Sequence, residues 1–268
     1  MKKIQLGLSP CPNDTFIFYA LLHNKVDCEE FQFEPLFDDV ESLNNKAFKN
    51  ELSITKLSFH AWLYLQDKYT LLDSGAALGN GCGPILISKK ELSVNDLKTA
   101  SIAIPGYYTT AHLLLKIFYP FINNKNELFF SEIENELLNE TVDAGVIIHE
   151  NRFTYEGKGL KKICDLGERW ENENHSPIPL GGIFTKTNEG NKFHDSINRI
   201  IKRSIEYAWQ NEKETLEFVK LYSQEMSEEV IKQHINLYVN EFTLSLGKTG
   251  MNAINKLQKH FEEAQVAR

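Results

Sequence analysis

Through the first two thirds of the chain, short apolar runs alternate with stretches in which apolar positions recur every three or four residues. This is the pattern of β-strands joined by amphipathic helices. The spacing predicts strands at residues 4–8, 31–36, 52–55 and 84–88, with helices opening after Asn13, Asp38 and Ser58. Asp38 and Ser58 stand where N-caps belong. A second series begins near Asn95, with strands at 101–104, 128–130 and 144–149 and a helix over 109–119. One more strand, 182–185, precedes helical periodicity through 197–209, 216–222, 228–239 and 250–261. That tail needs a sheet to cover, and the first series offers one. The expected fold is α/β with two lobes and a cleft between them. Residues 1–88 and 181–268 form a larger discontinuous lobe and 89–180 a smaller one, with the crossings at 84–88 and 182–185. The glycine-rich stretch 75–83 supplies the backbone freedom for a bend at the first crossing.

Composition narrows the class. With 268 residues, 42% of them hydrophobic and 25% charged, the chain can bury a core and is too apolar for disorder. Its 29 Lys and Arg against 37 Asp and Glu leave a net charge of −8. That argues against broad affinity for nucleic acid or anionic membranes, so an acidic ligand needs a local positive site. No apolar run approaches the roughly 18 residues of a membrane span. The opening Met1-Lys2-Lys3 leads into residues 4–8, which Ser9-Pro10-Cys11-Pro12 cuts short, and no cleavage site follows the apolar run at 16–22. No signal peptide is read, and a cytoplasmic location is expected. Cys11, Cys28, Cys82 and Cys164 lie far apart with no C-x-x-C pair, as reduced thiols do rather than a disulfide frame or zinc site.

Candidate chemistry gathers where strands hand over to helices, because helix N-termini present unpaired N–H groups there. Ser9, Asn13 and Asp14 lie in the first such loop, which reads equally as a ligand wall or as a proline-rich strand end with a polar cap. At Thr55-Lys56-Leu57-Ser58, Lys56 offers positive charge and Ser58 a hydroxyl; a capping serine beside a solvated lysine is the plainer alternative. Pro105-Gly106 followed by Thr109-Thr110-Ala111 is the stronger anion site, since capping alone needs one threonine and here are two. His149 ends an apolar strand at a sheet edge, a position suited to a general base, although a lone histidine is more often structural. His60, His112, His234 and His260 fall within helices, His23 follows one, and His175 and His194 lie in polar stretches; all read as structural. Gly247-Lys248-Thr249 lacks the upstream glycine of a P-loop, its place being taken by Phe242. Gly79-x-Gly81-x-Gly83 opens a strand rather than a helix, so neither marks a nucleotide site.

Taken together, Ser9-Pro10-Cys11-Pro12-Asn13-Asp14-Thr15-Phe16, Thr55 to Ser58, Pro105-Gly106 with Thr109-Thr110-Ala111, and the stretch from Ile147 to Tyr155 resemble the 1,4-dihydroxy-6-naphthoate synthase family. The resemblance extends to Pro179-Leu180-Gly181-Gly182 and Tyr238-Val239-Asn240. It implies a two-lobed fold like type II periplasmic binding proteins and a lyase of the futalosine route to menaquinone. Such an enzyme takes cyclic dehypoxanthinyl futalosine, a small-molecule carboxylate, to 1,4-dihydroxy-6-naphthoate with loss of a dihydroxyacetone-type fragment. The resemblance further implies no metal or organic cofactor, and no nucleic acid or membrane partner. On this resemblance His149 is the general base, with a near-neutral pKa. Thr109, Thr110 and the Thr55–Ser58 turn hold the carboxylate and oxygens of the substrate, and Ser9, Asn13 and Asp14 line the opposite wall. Two alternatives share the fold: a solute-binding protein of a transporter, and the chorismate dehydratase of the same pathway.

Overall fold

The computed structural model describes residues 1–223 and 227–266. In β1 (Lys2–Leu8), Ile4, Leu6 and Leu8 are buried while Lys3 and Gln5 face solvent, the alternation of a half-buried strand. The turn after it feeds α1 (Pro12–Leu22), where Pro12 suits the first turn because its missing N–H has no partner to lose there. Every residue of α1 except Leu22 is buried, so this helix runs through the core rather than over it. The chain continues through β2 (Phe31–Phe37), α2 (Val40–Phe48), β3 (Ile54–Ser58), α3 (Phe59–Leu63), β4 (Tyr69–Leu71) and β5 (Ala77–Gly79). It then builds β6 (Ile85–Ser88), β7 (Ile102–Ile104), α4 (Thr110–Phe118), β8 (Lys125–Glu127), α5 (Ile133–Leu138), β9 (Ala144–Ile147), α6 (Asn151–Thr154), β10 (Lys161–Asp165) and α7 (Leu166–Asn174). After β11 (Ile178–Lys186) come α8 (Asn191–Gln210), α9 (Glu212–Tyr222), α10 (Glu228–Tyr238), α11 (Glu241–Leu244) and α12 (Gly247–Val266).

Among the described residues these strands form two mixed sheets. The first has the order β2-β1-β3-β11-β4, with β5 also on β11; the second has the order β10-β6-β9-β7-β8. Parallel pairs β1/β2 and β1/β3 carry their crossover helices, while β11 returns antiparallel to β3. The helical tail covers the first sheet: Ile197, Ile201 and Ile205 of α8, with Leu216 and Ile235, pack on Leu6, Phe16 and Ile17. A second cluster joins the two halves, with Leu57 and Phe59 beside Ile102, Leu113 and Trp170, and Leu257 of α12 sealing it. No helix among the described residues is long and apolar enough to cross a membrane.

Several local expectations move. The cap of α2 is Asp39, whose Oδ1 accepts from Glu41 N at 2.9 Å and Ser42 N at 3.2 Å, whereas Asp38 instead accepts from Asp39 N. Ser58 occupies the N-cap position of α3, but its hydroxyl accepts from Asn44 Nδ2 instead of capping. The strand expected at 128–130 lies at Lys125–Glu127, because pairing with β7 defines it while Leu128 turns toward the apolar cluster under α5. Ile85–Ser88 is a strand of the second sheet, paired with β9 and β10, so the chain leaves the first sheet before it. The glycine-rich stretch contains β5, and its Gly83 lies so close to Gly167 that a Cβ there would sit 2.2 Å from Gly167 Cα.

Candidate active site

Loops from both sheets meet in a cleft lined by residues of both. Ser9 and Asn13, from the β1–α1 junction, form one part of its wall, and Lys56 and Ser58 of β3 another. Thr109, Thr110 and Ala111 open α4 on the side of the second sheet, with His149 beyond β9. Seven of the ten expected site residues therefore converge. Thr55 and Leu57 do not line the cleft, because strand alternation sends their side chains to the opposite face from Lys56 and Ser58. Leu57 belongs to the shared core, and the Thr55 hydroxyl donates to Lys56 O at 3.0 Å. Asp14 stands one layer behind the wall.

That layer is a closed polar network. Asp14 Oδ1 accepts from Lys56 Nζ and Asn13 Nδ2, each at 2.8 Å, and Oδ2 accepts from Ser9 Oγ at 2.9 Å and Ser9 N at 3.1 Å. Asp14 and Lys56 are both buried, so each offsets the desolvation of the other. The positive charge expected of Lys56 is thus largely answered by Asp14. At α4 both hydroxyls are also engaged. Thr109 Oγ1 accepts from His112 N and donates to Gly106 O, and Thr110 Oγ1 donates to Leu180 O at 2.6 Å across the cleft. What remains at this helix start are the N–H groups of Thr110 and Ala111, which have no protein acceptor among the described residues.

His149 has φ of 60°, a left-handed conformation that β-strands do not use and that turns the chain sharply out of β9. Phe130 meets its ring edge-on at a centroid distance of 5.0 Å, and neither ring nitrogen has a hydrogen-bond partner among the described residues. Burial pushes its pKa down to about 4; Asp14 opposes that shift and Lys56 adds to it. The expectation of a near-neutral value is therefore corrected: desolvation outweighs the carboxylate, and the ring is neutral at pH 7. Cys82 lines the cleft with its thiol pushed up to about 12 by burial, so it is not a nucleophile.

The two sides are clamped at the cleft. His60 Nδ1 lies 3.1 Å from Thr109 O, and Tyr108 N donates to Glu41 Oε1 at 2.9 Å. Gly106, at φ 144°, permits that second contact, since a Cβ there would fall 2.4 Å from Glu41 Cδ. Residues that the pattern did not single out also belong here. Tyr238 lines the cleft, and His234 lies behind it, fully buried, with Nε2 3.0 Å from Asn13 Oδ1. The signal available was position: His234 stands one helical turn before Tyr238-Val239-Asn240.

Two mixed sheets, a chain that passes from one to the other and back, and a cleft between them define the periplasmic binding protein fold. Solved structures agree. The alkanesulfonate-binding protein of Xanthomonas axonopodis pv. citri matches with a TM-score of 0.74 at 12% identity, covering 98% of this chain and 93% of that one. A crystal structure of a protein from Archaeoglobus fulgidus matches far more closely, with a TM-score of 0.93 at 36% identity over 98% of each chain. A family model described as menaquinone biosynthesis matches residues 4–263, and the chain belongs to that family. Among its relatives is a Thermus thermophilus protein named 1,4-dihydroxy-6-naphthoate synthase, 39% identical over 99% of this chain and 95% of its own length. A Streptomyces coelicolor protein of the same name is 37% identical over 95% and 91%. The chain is thus an enzyme of menaquinone biosynthesis acting on a small molecule.

Proposed function

We propose that the chain is a carbon–carbon lyase that converts cyclic dehypoxanthinyl futalosine to 1,4-dihydroxy-6-naphthoate and a dihydroxyacetone-type fragment, with His149 as general base. The observation that carries the reading is that the two imidazole nitrogens of His149, in a cleft wall, have no hydrogen-bond partner among the described residues. Every other polar side chain expected in the wall is already hydrogen-bonded within the protein. A group that must take a proton from substrate has to arrive with a free lone pair.

The remaining features suit an acidic substrate. The N–H groups of Thr110 and Ala111 at the start of α4 offer donors and a positive helix end to its carboxylate, without an unpaired buried cation. Lys56, held by Asp14, adds a hydrogen-bond donor to the opposite wall. Bringing an anion into the cleft also raises the pKa of His149, because a nearby negative charge favours imidazolium. Its basicity is therefore low in the free enzyme and higher in the complex, where the proton is removed and carbon–carbon cleavage and ring aromatisation follow. The clamps between Thr109, Thr110, Tyr108 and the first sheet exclude water from that step. The reading includes a cytoplasmic location, no metal or organic cofactor, and a division into lobes at 1–88 with 181–268 and 89–180.

Incubating purified protein with cyclic dehypoxanthinyl futalosine and following the naphthoate by mass and absorbance tests the proposal. Product formation supports it. Tight capture without turnover favours a solute-binding protein, and turnover of chorismate instead favours the dehydratase.

A further inference from the structure

His234 on α10 and Asn13 at the start of α1 are 221 positions apart in sequence, yet their side chains meet in the interior, Nε2 to Oδ1 at 3.0 Å. The partners of Asn13 fix the sense of that bond. Its Nδ2 donates to Asp14 Oδ1 at 2.8 Å, and a carboxylate accepting from Lys56, Ser9 and Asn13 has only acceptor capacity to offer. Nδ2 must therefore point at Asp14 and Oδ1 at His234. An amide oxygen cannot donate, so Nε2 of His234 must carry the proton.

Reversing the amide would set Nδ2 against an N–H and Oδ1 against the carboxylate, losing two buried bonds at once. The Nε2–H of a histidine outside the cleft thus adds a second bond that locks Asn13, in its wall, in the orientation that Asp14 sets. The ring is held for this task by Tyr238, one turn later on α10, whose ring lies at a centroid distance of 4.4 Å. Its other nitrogen, Nδ1, lies 3.9 Å from Glu150 Oε2. Burial, with the neighbouring His149, Lys56 and Arg152, keeps the imidazole neutral.

We infer that His234 is a positioning residue: its Nε2–H holds the Asn13 amide in one orientation and so keeps the Asn13–Asp14–Lys56 wall in register beside His149, whose ring stacks on that of His234 at a centroid distance of 6.2 Å. The inference rests on the reading of the cleft as the substrate site. A glutamine at 234 can set its amide nitrogen where Nε2 stands, whereas asparagine ends about one bond short.

The test compares His234→Gln, His234→Asn, Asn13→Ala and the double variant His234→Asn/Asn13→Ala in the full chain, by steady-state kinetics and thermal melting. His234→Asn is expected to lose about 10²-fold in kcat/KM, the scale of a displaced catalytic wall. His234→Gln should recover most of that loss, and the double variant should be no worse than Asn13→Ala alone. Equal activities of the Gln and Asn variants, or losses that multiply in the double variant, would overturn the inference. A substrate-free readout keeps it separate from the reaction assigned above. ¹⁵N NMR of the imidazoles should show His234 as the neutral Nε2–H tautomer in the wild type. An Nδ1–H tautomer, which leaves Nε2 without a proton to donate to Asn13, overturns the positioning role even if the lyase reaction stands. A wild type that shows Nε2–H but makes no naphthoate sinks the reaction and leaves the hydrogen-bond assignment supported.

Discussion

Asp14 and Lys56 form a buried ion pair whose two members are unequally supported, and that inequality makes a sharp prediction. Asp14 accepts four hydrogen bonds, of which Lys56 supplies one and Ser9 and Asn13 the rest. Replacing Lys56 by methionine leaves the carboxylate with three donors, so the loss should be near that of one charged hydrogen bond, roughly 1.5–3 kcal/mol. Replacing Asp14 by asparagine leaves the Lys56 ammonium buried without its counter-charge, the case that costs about 3–5 kcal/mol. The core cluster that spans both sheets argues for one cooperative unfolding unit. At roughly 2.1 cal/mol/K of unfolding entropy per residue, Lys56→Met should lower the Tm of the 268-residue chain by roughly 3–5 °C and Asp14→Asn by roughly 5–9 °C. The double variant should fall short of the sum, because the stranded ammonium is gone. Differential scanning calorimetry at pH 7 reads all three. A Lys56→Met variant that melts below Asp14→Asn would refute the claim that the network is built around the carboxylate.

Three further outcomes follow from named contacts. The proton-free form of His149 is lost as pH falls through about 4, so kcat/KM, which reports the free enzyme, should hold from neutrality into mild acid and fall only near that value. An acid limb near the ordinary histidine value of about 6.5 would contradict the desolvation argument. Gly83→Ala should destabilise far more than Gly81→Ala, since the added Cβ meets the Gly167 backbone at 2.2 Å in the first case and nothing within 4 Å in the second, where the cost is the left-handed φ of 67°. Equal Tm losses would argue that the close approach at the bend is not constrained. Thr109→Val removes the acceptor for His112 N at the start of α4, so it should cost about 1 kcal/mol of stability as well as raising KM. An unchanged Tm would show that the cap is dispensable.

The pattern of apolar residues was enough to read the α/β class and the junctions that form the cleft, because those depend on periods of two and of three to four within each segment. Ser9, Asn13, Ser58, Thr109, Thr110 and His149 all sit at such junctions, and Lys56 lies two residues before one, within β3. Alternation along β3 could also have excluded the Thr55 and Leu57 side chains once Lys56 and Ser58 were taken to face the ligand. The short strands β4, β5 and β10 left no comparable trace, since their partners β11 and β6 define them more than their own composition does. His234 looks like any helical histidine until the fold brings Asn13 to it, and the basicity of His149 depends on burial that no local motif encodes. The clamp between Glu41 and Tyr108 likewise joins α2 to a loop of the second sheet. Its only local mark is Gly106.

His149→Asn, measured against wild type for both binding and turnover of cyclic dehypoxanthinyl futalosine, bears on the central claim most directly. Asparagine keeps a polar side chain in the cleft wall but cannot accept the proton. Naphthoate formation should fall by the roughly 10²–10⁴-fold that general base catalysis contributes, while calorimetric binding of the substrate stays within a few-fold of wild type. Turnover near the wild-type rate would remove His149 from the reaction and with it the proposed mechanism.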